Sequence, residues 1–299
     1  MPLPLAQTGV RGRTNVGARP RHLPAPLRLW HLASLDAPTV AVVWALAFAH
    51  AAGVHLPAWV PALLALGAWA VYIGDRLLDA RSGLGTGNLH QLRDRHFFHW
   101  RHRRILAPVA VLAACAAMAI IVTLMPAAIR TRNSVLAAAA LVYFSGVHLP
   151  RRPRWLARVA SKELLVGILF TTGCVFPTLT RLHGTSLAPI AAAVFFAAHF
   201  FAALAWLNCY AIDRWESAPS ATVAPHAQIL AAAALVAACA LASMQPRIAA
   251  LLASAAASAA LLALLDRRRA RLTPLALRAA ADLVLLTPLA LLLPFAPLK

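Results

Sequence analysis

Long apolar blocks recur along the chain, separated by short loops rich in arginine and proline. A helix needs about 20 apolar residues to cross the hydrocarbon of a bilayer, and in lipid a helix satisfies its own backbone hydrogen bonds. The pattern predicts nine spans, near 36–53, 57–79, 105–125, 127–148, 161–180, 186–211, 226–244, 247–265 and 276–295. Asp36 reads as an N-cap with Pro38 in the first turn, and Pro126 or Ser134 opens the fourth span. The alanine-rich stretches Ala231 to Ala234 and Ala255 to Ala257 suit close helix packing inside a bundle. The expected fold is therefore all-α: a polytopic membrane helical bundle of about nine transmembrane helices over residues 33–299, preceded by a disordered basic arm over 1–32.

Composition agrees. The chain is 61% hydrophobic and 12% charged, which is not the profile of a soluble globular protein. Its net charge of +19 does not point to nucleic acid, because the arginines lie in loops between spans and form no compact basic domain. They report topology instead. With alternating spans, 23 of the 28 Lys and Arg fall on the side of the N-terminus. Positive loops stay inside, so the expectation is an integral membrane protein of a bacterial inner membrane, N-terminus cytoplasmic and C-terminus outside. Cys115, Cys174, Cys209 and Cys239 lie in apolar runs without CxxC spacing, which indicates neither disulfides nor zinc.

Nine acidic residues stand in the whole chain, and four of them form two pairs that end long apolar runs: Asp75 with Asp79, and Asp213 with Glu216. Residues four apart share one helical face, about 6 Å apart along the axis. Carboxylates so placed repel, and at a membrane edge they need a cation to offset them. Arg76 bridging to Asp79 would serve, with the pair merely ending a span. A divalent metal serves too, since hard oxygen ligands suit Mg²⁺ and Mg²⁺ suits phosphate. Both pairs fall on the cytoplasmic side, so convergence on one cavity would let them hold Mg²⁺ against a diphosphate and neutralise it as a leaving group. Arg76, Arg214 and Lys162 are the cations placed to contact the phosphates, with Lys162 read equally well as a snorkelling anchor beside Glu163.

Three further features are read locally. Asp282 lies inside the ninth span four residues after Arg278, the spacing of an intrahelical pair, and Asp266 opens a solvated Asp-Arg-Arg-Arg loop. His96, His99 and His102 recur every third residue in an arginine- and aromatic-rich segment. That segment reads as an interfacial helix, as a metal cluster, or as a cap that brings cations over the acidic pair. Neither a serine or cysteine nucleophile motif, nor a phosphate-cradling glycine loop, nor a dinucleotide fingerprint occurs.

The sequence Val71-Tyr72-Ile73-Gly74-Asp75-Arg76-Leu77-Leu78-Asp79 resembles the N-D-x-x-D-x-x-x-D motif of the UbiA superfamily of intramembrane prenyltransferases. Its last two aspartates match, while Val71 and Tyr72 stand where that pattern has Asn and Asp. Asn208-Cys209-Tyr210-Ala211-Ile212-Asp213-Arg214-Trp215-Glu216 is similar to the family's second motif, with Glu216 one position early. Lys162 through Gly167 to Pro177 also looks like the fifth helix of divergent members. The resemblance implies a UbiA-like bundle that transfers a prenyl group from an isoprenyl diphosphate to an unidentified acceptor, aromatic or other, with Mg²⁺ as cofactor. Asp75, Asp79, Asp213 and Glu216 would be catalytic and hold metal, with Asn208 as a further oxygen ligand. Tyr72, Phe170, Trp206 and Tyr210 would line a dry cavity around an allylic carbocation. The alternatives are a membrane terpene cyclase, or a catalytically inactive UbiA-like membrane protein that binds lipid.

Overall fold

The computed structural model describes residues 24–85, 94–131, 133–134, 138, 162–182, 187–217 and 221–293. Eleven α-helices run through them: α1 Ala25–Leu32, α2 Asp36–Ala51, α3 Trp59–Gly85, α4 Asp94–Arg101, α5 Arg103–Thr123, α6 Lys162–Leu179, α7 Ala188–Ser217, α8 Ala224–Leu241, α9 Pro246–Arg268, α10 Pro274–Leu283 and α11 Leu289–Leu292. Among the described residues there is no strand.

Among the described residues six helical segments are long and apolar enough to cross a membrane, or seven if α1 and α2, bent by 88°, count together. The fold is thus all-helical, with several helices of membrane-spanning length and composition. The expected fourth span shows a helical turn over 127–131, and most of it lies outside the described residues. The fifth, α6, is an apolar helix just short of spanning length.

Two boundaries differ from the sequence reading. Residues 25–32, placed in the disordered arm, form α1: Pro26 starts the helix, and His31 and Leu32 are buried at its end. Tertiary contacts hold this short helix, Leu32 by burial and His31 against Asp36 and Asp282, since eight residues alone are marginal in water. The ninth span is broken between α10 and α11 by Pro288, whose missing N–H leaves the Val284 carbonyl without its helical donor. Ser258 Oγ on α9 donates to that carbonyl at 2.7 Å, and Trp44 Nε1 donates to the next one, Leu285, at 2.8 Å. Buried carbonyls freed by a break must find such partners.

The apolar core sits where α2, α6, α7 and α9 meet. Trp44 stacks on Phe201 with ring centroids 3.9 Å apart, and Phe48 and Phe170 pack around the pair. α6 and α7 approach closely at Gly167, where a Cβ would lie 3.0 Å from the Trp206 backbone nitrogen and 3.1 Å from the Ala202 carbonyl oxygen. The outer face of α5 exposes Val111, Leu112, Met118 and Val122, the surface lipid would cover.

Asp266 is not the solvated loop residue expected from its arginine-rich context. It is buried and accepts hydrogen bonds from Thr222 Oγ1, Trp215 Nε1 and the backbone N–H groups of Val223 and Ala224, at 2.6 to 2.9 Å. Arg269 adds an ion pair at 2.6 Å. The carboxylate therefore caps the N-terminus of α8, where helix N–H groups lack intrahelical partners. Asp266→Ala leaves several buried donors unmatched and should cost about 3 kcal/mol in detergent unfolding. Gly167→Ala should cost about 1–3 kcal/mol by the same measurement, because rigid backbone faces the added methyl.

Candidate functional site

The polar interior is built on the elbow between α1 and α2. Ser34 stands there with φ of 56°, a left-handed conformation that costs a residue other than glycine about 1–3 kcal/mol. Its side chain is fixed from two elements. Arg76 Nε on α3 donates to Ser34 Oγ at 3.0 Å, and Ser34 Oγ lies 3.2 Å from His99 Nε2 on α4. His99 Nδ1 is 2.7 Å from the Arg95 carbonyl, which can only accept. The proton therefore sits on Nδ1, Nε2 is the acceptor, and the Ser34 hydroxyl donates to it.

Immediately beyond the elbow, His31 Nδ1 lies 2.7 Å from Asp36 Oδ2 and 3.6 Å from Asp282 Oδ2. The imidazole is 1% exposed, and neither ring nitrogen makes a well-aligned hydrogen bond among the described residues, although Nδ1 is close to both carboxylates. Asp36 Oδ1 accepts from the Ala37 N–H at 2.9 Å. Asp282 Oδ1 accepts from Asn208 Nδ2 at 3.2 Å, while Asn208 Oδ1 is buried without a partner among the described residues.

A third group adjoins these. Glu216 Oε1 on α7 accepts from Arg95 on α4 at 3.0 Å and from Arg278 on α10 at 3.1 Å. Arg76, Arg95 and Arg278 lie close enough for their charges to act on one another, and Arg76 also faces Asp36 and Asp75. The Nε–H groups of Arg95 and Arg278 are buried without acceptors among the described residues.

The residues singled out from sequence divide between this interior and other places. Arg76 is buried at the elbow with Tyr72 beside it, the guanidinium 5.9 Å from the ring centre. Asp75 and Asp79 are half-buried on α3. Glu216 and Asn208 enter the interior, Glu216 toward two arginines and Asn208 toward Asp282. Asp213 is exposed. Arg214 donates to the Tyr210 hydroxyl at 2.9 Å, and Tyr210 stacks on Trp206. Phe170 lies in the aromatic core with Phe201. Lys162 begins α6, and its side chain lies outside the described ones.

Asp282 does not form the expected pair within its own helix: Arg278 reaches Glu216, and Asp282 faces His31 and Asn208. The helical spacing allowed the pair, but the bundle supplied other partners. His31 and Ser34 escaped the sequence reading; Arg278 entered it only as the partner of Asp282, and Arg95 only as part of the arginine-rich segment. Asp36 and Asp282 carried the one usable signal, being acids at the start of and within apolar runs. A shallow hollow between α8 and α9, lined by Gln228, Arg267 and alanines, holds none of these groups.

Burial pushes His99 down to about 4, against its bond to the Arg95 carbonyl, with Arg76 and His102 lowering it further and Asp36 opposing. Burial pushes His96 down to about 3, with Arg95, Arg76 and Arg278 adding to it and Glu216 opposing. Arg95 itself falls to about 9 through burial and the neighbouring guanidiniums. Both histidines are thus neutral when folded and bind protons near 6.5 when unfolded. The unfolded chain binds more protons below that value, so stability is full above pH 6.5 and falls as the pH drops toward 4. Between pH 7 and 5 the loss should be roughly 2 kcal/mol for each histidine. Detergent unfolding against pH measures it, and His99→Asn should remove about half of the slope.

No protein-family model, no curated protein and no solved structure matches the chain, so its function is argued from the elbow and the charges around it.

Proposed function

We propose that this membrane protein binds an isoprenyl diphosphate with its headgroup among Arg76, Arg95 and Arg278, and transfers the prenyl group to an acceptor within the membrane. The observation that carries the reading is the pair of unused donors, Arg95 Nε–H and Arg278 Nε–H, buried beside Arg76. Buried N–H groups without acceptors are rare and costly, and planar guanidiniums suit phosphate oxygens. The surrounding apolar bundle suits the prenyl tail. On transfer, the C1–O bond of the allylic diphosphate breaks and oxygen keeps the electron pair. The acceptor's nucleophilic atom then bonds C1 and gives up its proton. The arginines stabilise the charge that gathers on the leaving diphosphate.

The basic loops make the headgroup end cytoplasmic in this reading. The magnesium site expected from the two acidic motifs does not fit the geometry. Asp213 is exposed, Glu216 accepts two guanidinium bonds, and Asn208 turns to Asp282. Mg²⁺ is therefore proposed only as the counter-ion that accompanies the diphosphate, and no step is assigned to it.

A second reading, non-catalytic binding of the same diphosphate, is favoured by Glu216 being neutralised by two arginines. Purified protein in detergent should bind farnesyl or geranylgeranyl diphosphate, and Arg95→Gln and Arg278→Gln should each weaken binding about 10- to 100-fold. No binding at any chain length by folded protein sinks both readings. Binding without turnover against an acceptor panel, unchanged in Asp75→Ala and Asp213→Ala, selects the second, and cyclised products from the diphosphate alone identify a cyclase.

A further inference from the structure

His31, Asp36 and Asp282 come from three helices, and among the described residues they form the group of three metal-capable side chains whose ligand atoms all lie within 4.8 Å of one another. None of Asp75, Asp79, Asp213 and Glu216 belongs to it. We propose that this triad is a divalent-metal site of the zinc or manganese class, completed by the side-chain oxygen of Asn208.

The donor set fits. One imidazole nitrogen with two carboxylate oxygens suits Zn²⁺ or Mn²⁺ better than an all-oxygen ion such as Mg²⁺. In a tetrahedron with bonds of about 2.0–2.2 Å, ligand atoms lie about 3.4 Å apart. The 3.6 Å from His31 Nδ1 to Asp282 is near that value, and the 2.7 Å to Asp36 needs only a small opening. Two carboxylates aimed at one buried imidazole also repel each other, which a divalent ion relieves.

A separate observation points to a ligand. Asn208 is 4% exposed, its Nδ2 reaches Asp282, and its Oδ1 has no partner among the described residues. Rotating the amide by half a turn exchanges the two atoms and aims that oxygen at the triad. A metal on Nδ1 requires the His31 proton to sit on Nε2, so binding to a protonated imidazole releases one proton.

The test uses the full chain, purified in detergent through a tag without histidine, loaded with Zn²⁺ and dialysed against metal-free buffer. About one equivalent of zinc should remain, lost in both His31→Gln and Asp282→Asn and held about tenfold more weakly in Asn208→Ala. Asp36 also accepts the Ala37 N–H at the start of α2, so it is left unchanged. X-ray absorption at the zinc edge of the wild-type protein, which needs no variant to fold, should give a nitrogen and oxygen shell. No retained zinc in folded wild-type protein, zinc retained equally by His31→Gln and Asp282→Asn, or a sulfur shell would each overturn the site. The outcome is independent of diphosphate binding, which is measured separately.

Discussion

Charge buried in an apolar bundle has to be matched inside the bundle, and this requirement organises the interior of the protein. Arg76 is 5% exposed on a helix whose neighbours are largely Leu, Ala and Val. Its guanidinium can remain there only if acceptors come to it. The elbow brings Ser34 and Asp36 toward it from the α1–α2 side, and α4 brings His99 onto the same serine. The left-handed turn at Ser34 is the local cost of that arrangement, and the contacts to Arg76 and His99 hold it in place.

The same rule accounts for the other polar features. Glu216 gathers Arg95 and Arg278 from two distant parts of the chain. Asp266 gathers the open end of α8 together with Thr222, Trp215 and Arg269. Ser258 and Trp44 answer the carbonyls released at Pro288. Matching is incomplete among the described residues at Arg95 Nε, Arg278 Nε and Asn208 Oδ1, and also away from them at Thr171, Thr178 and Asn133.

The histidine- and arginine-rich α4 joins two of these groups. Its cation Arg95 goes to Glu216 on α7 and its imidazole His99 to Ser34 at the elbow. The Asp-rich helix ends from which function was first argued have a more mixed position, since Glu216 faces inward and Asp213 outward on the same helix. They are three residues apart and so only about 60° apart around the helix; Glu216 is held inward by Arg95 and Arg278, while Asp213 lies past the edge of the covered face.

Sequence alone determined the class of the protein. Apolar runs of helical length with arginine in the connections specify a membrane bundle, because the energy of placing each segment in lipid is a local sum over its residues. It also marked Arg76, Asn208 and Glu216, because polar groups at the ends of apolar runs stand out without any knowledge of neighbours. Tertiary structure decided the partners. The spacing of Arg278 and Asp282 allowed an intrahelical pair, yet their charges went to Glu216 and His31. The composition around Asp266 suggested solvent, yet the residue caps α8. His31 carried no signal, and Asp36 only that of a helix start, until an 88° bend set them against a helix near the other end of the chain. Burial and pairing depend on which helix faces turn toward one another, and helix periodicity fixes only which residues share a face.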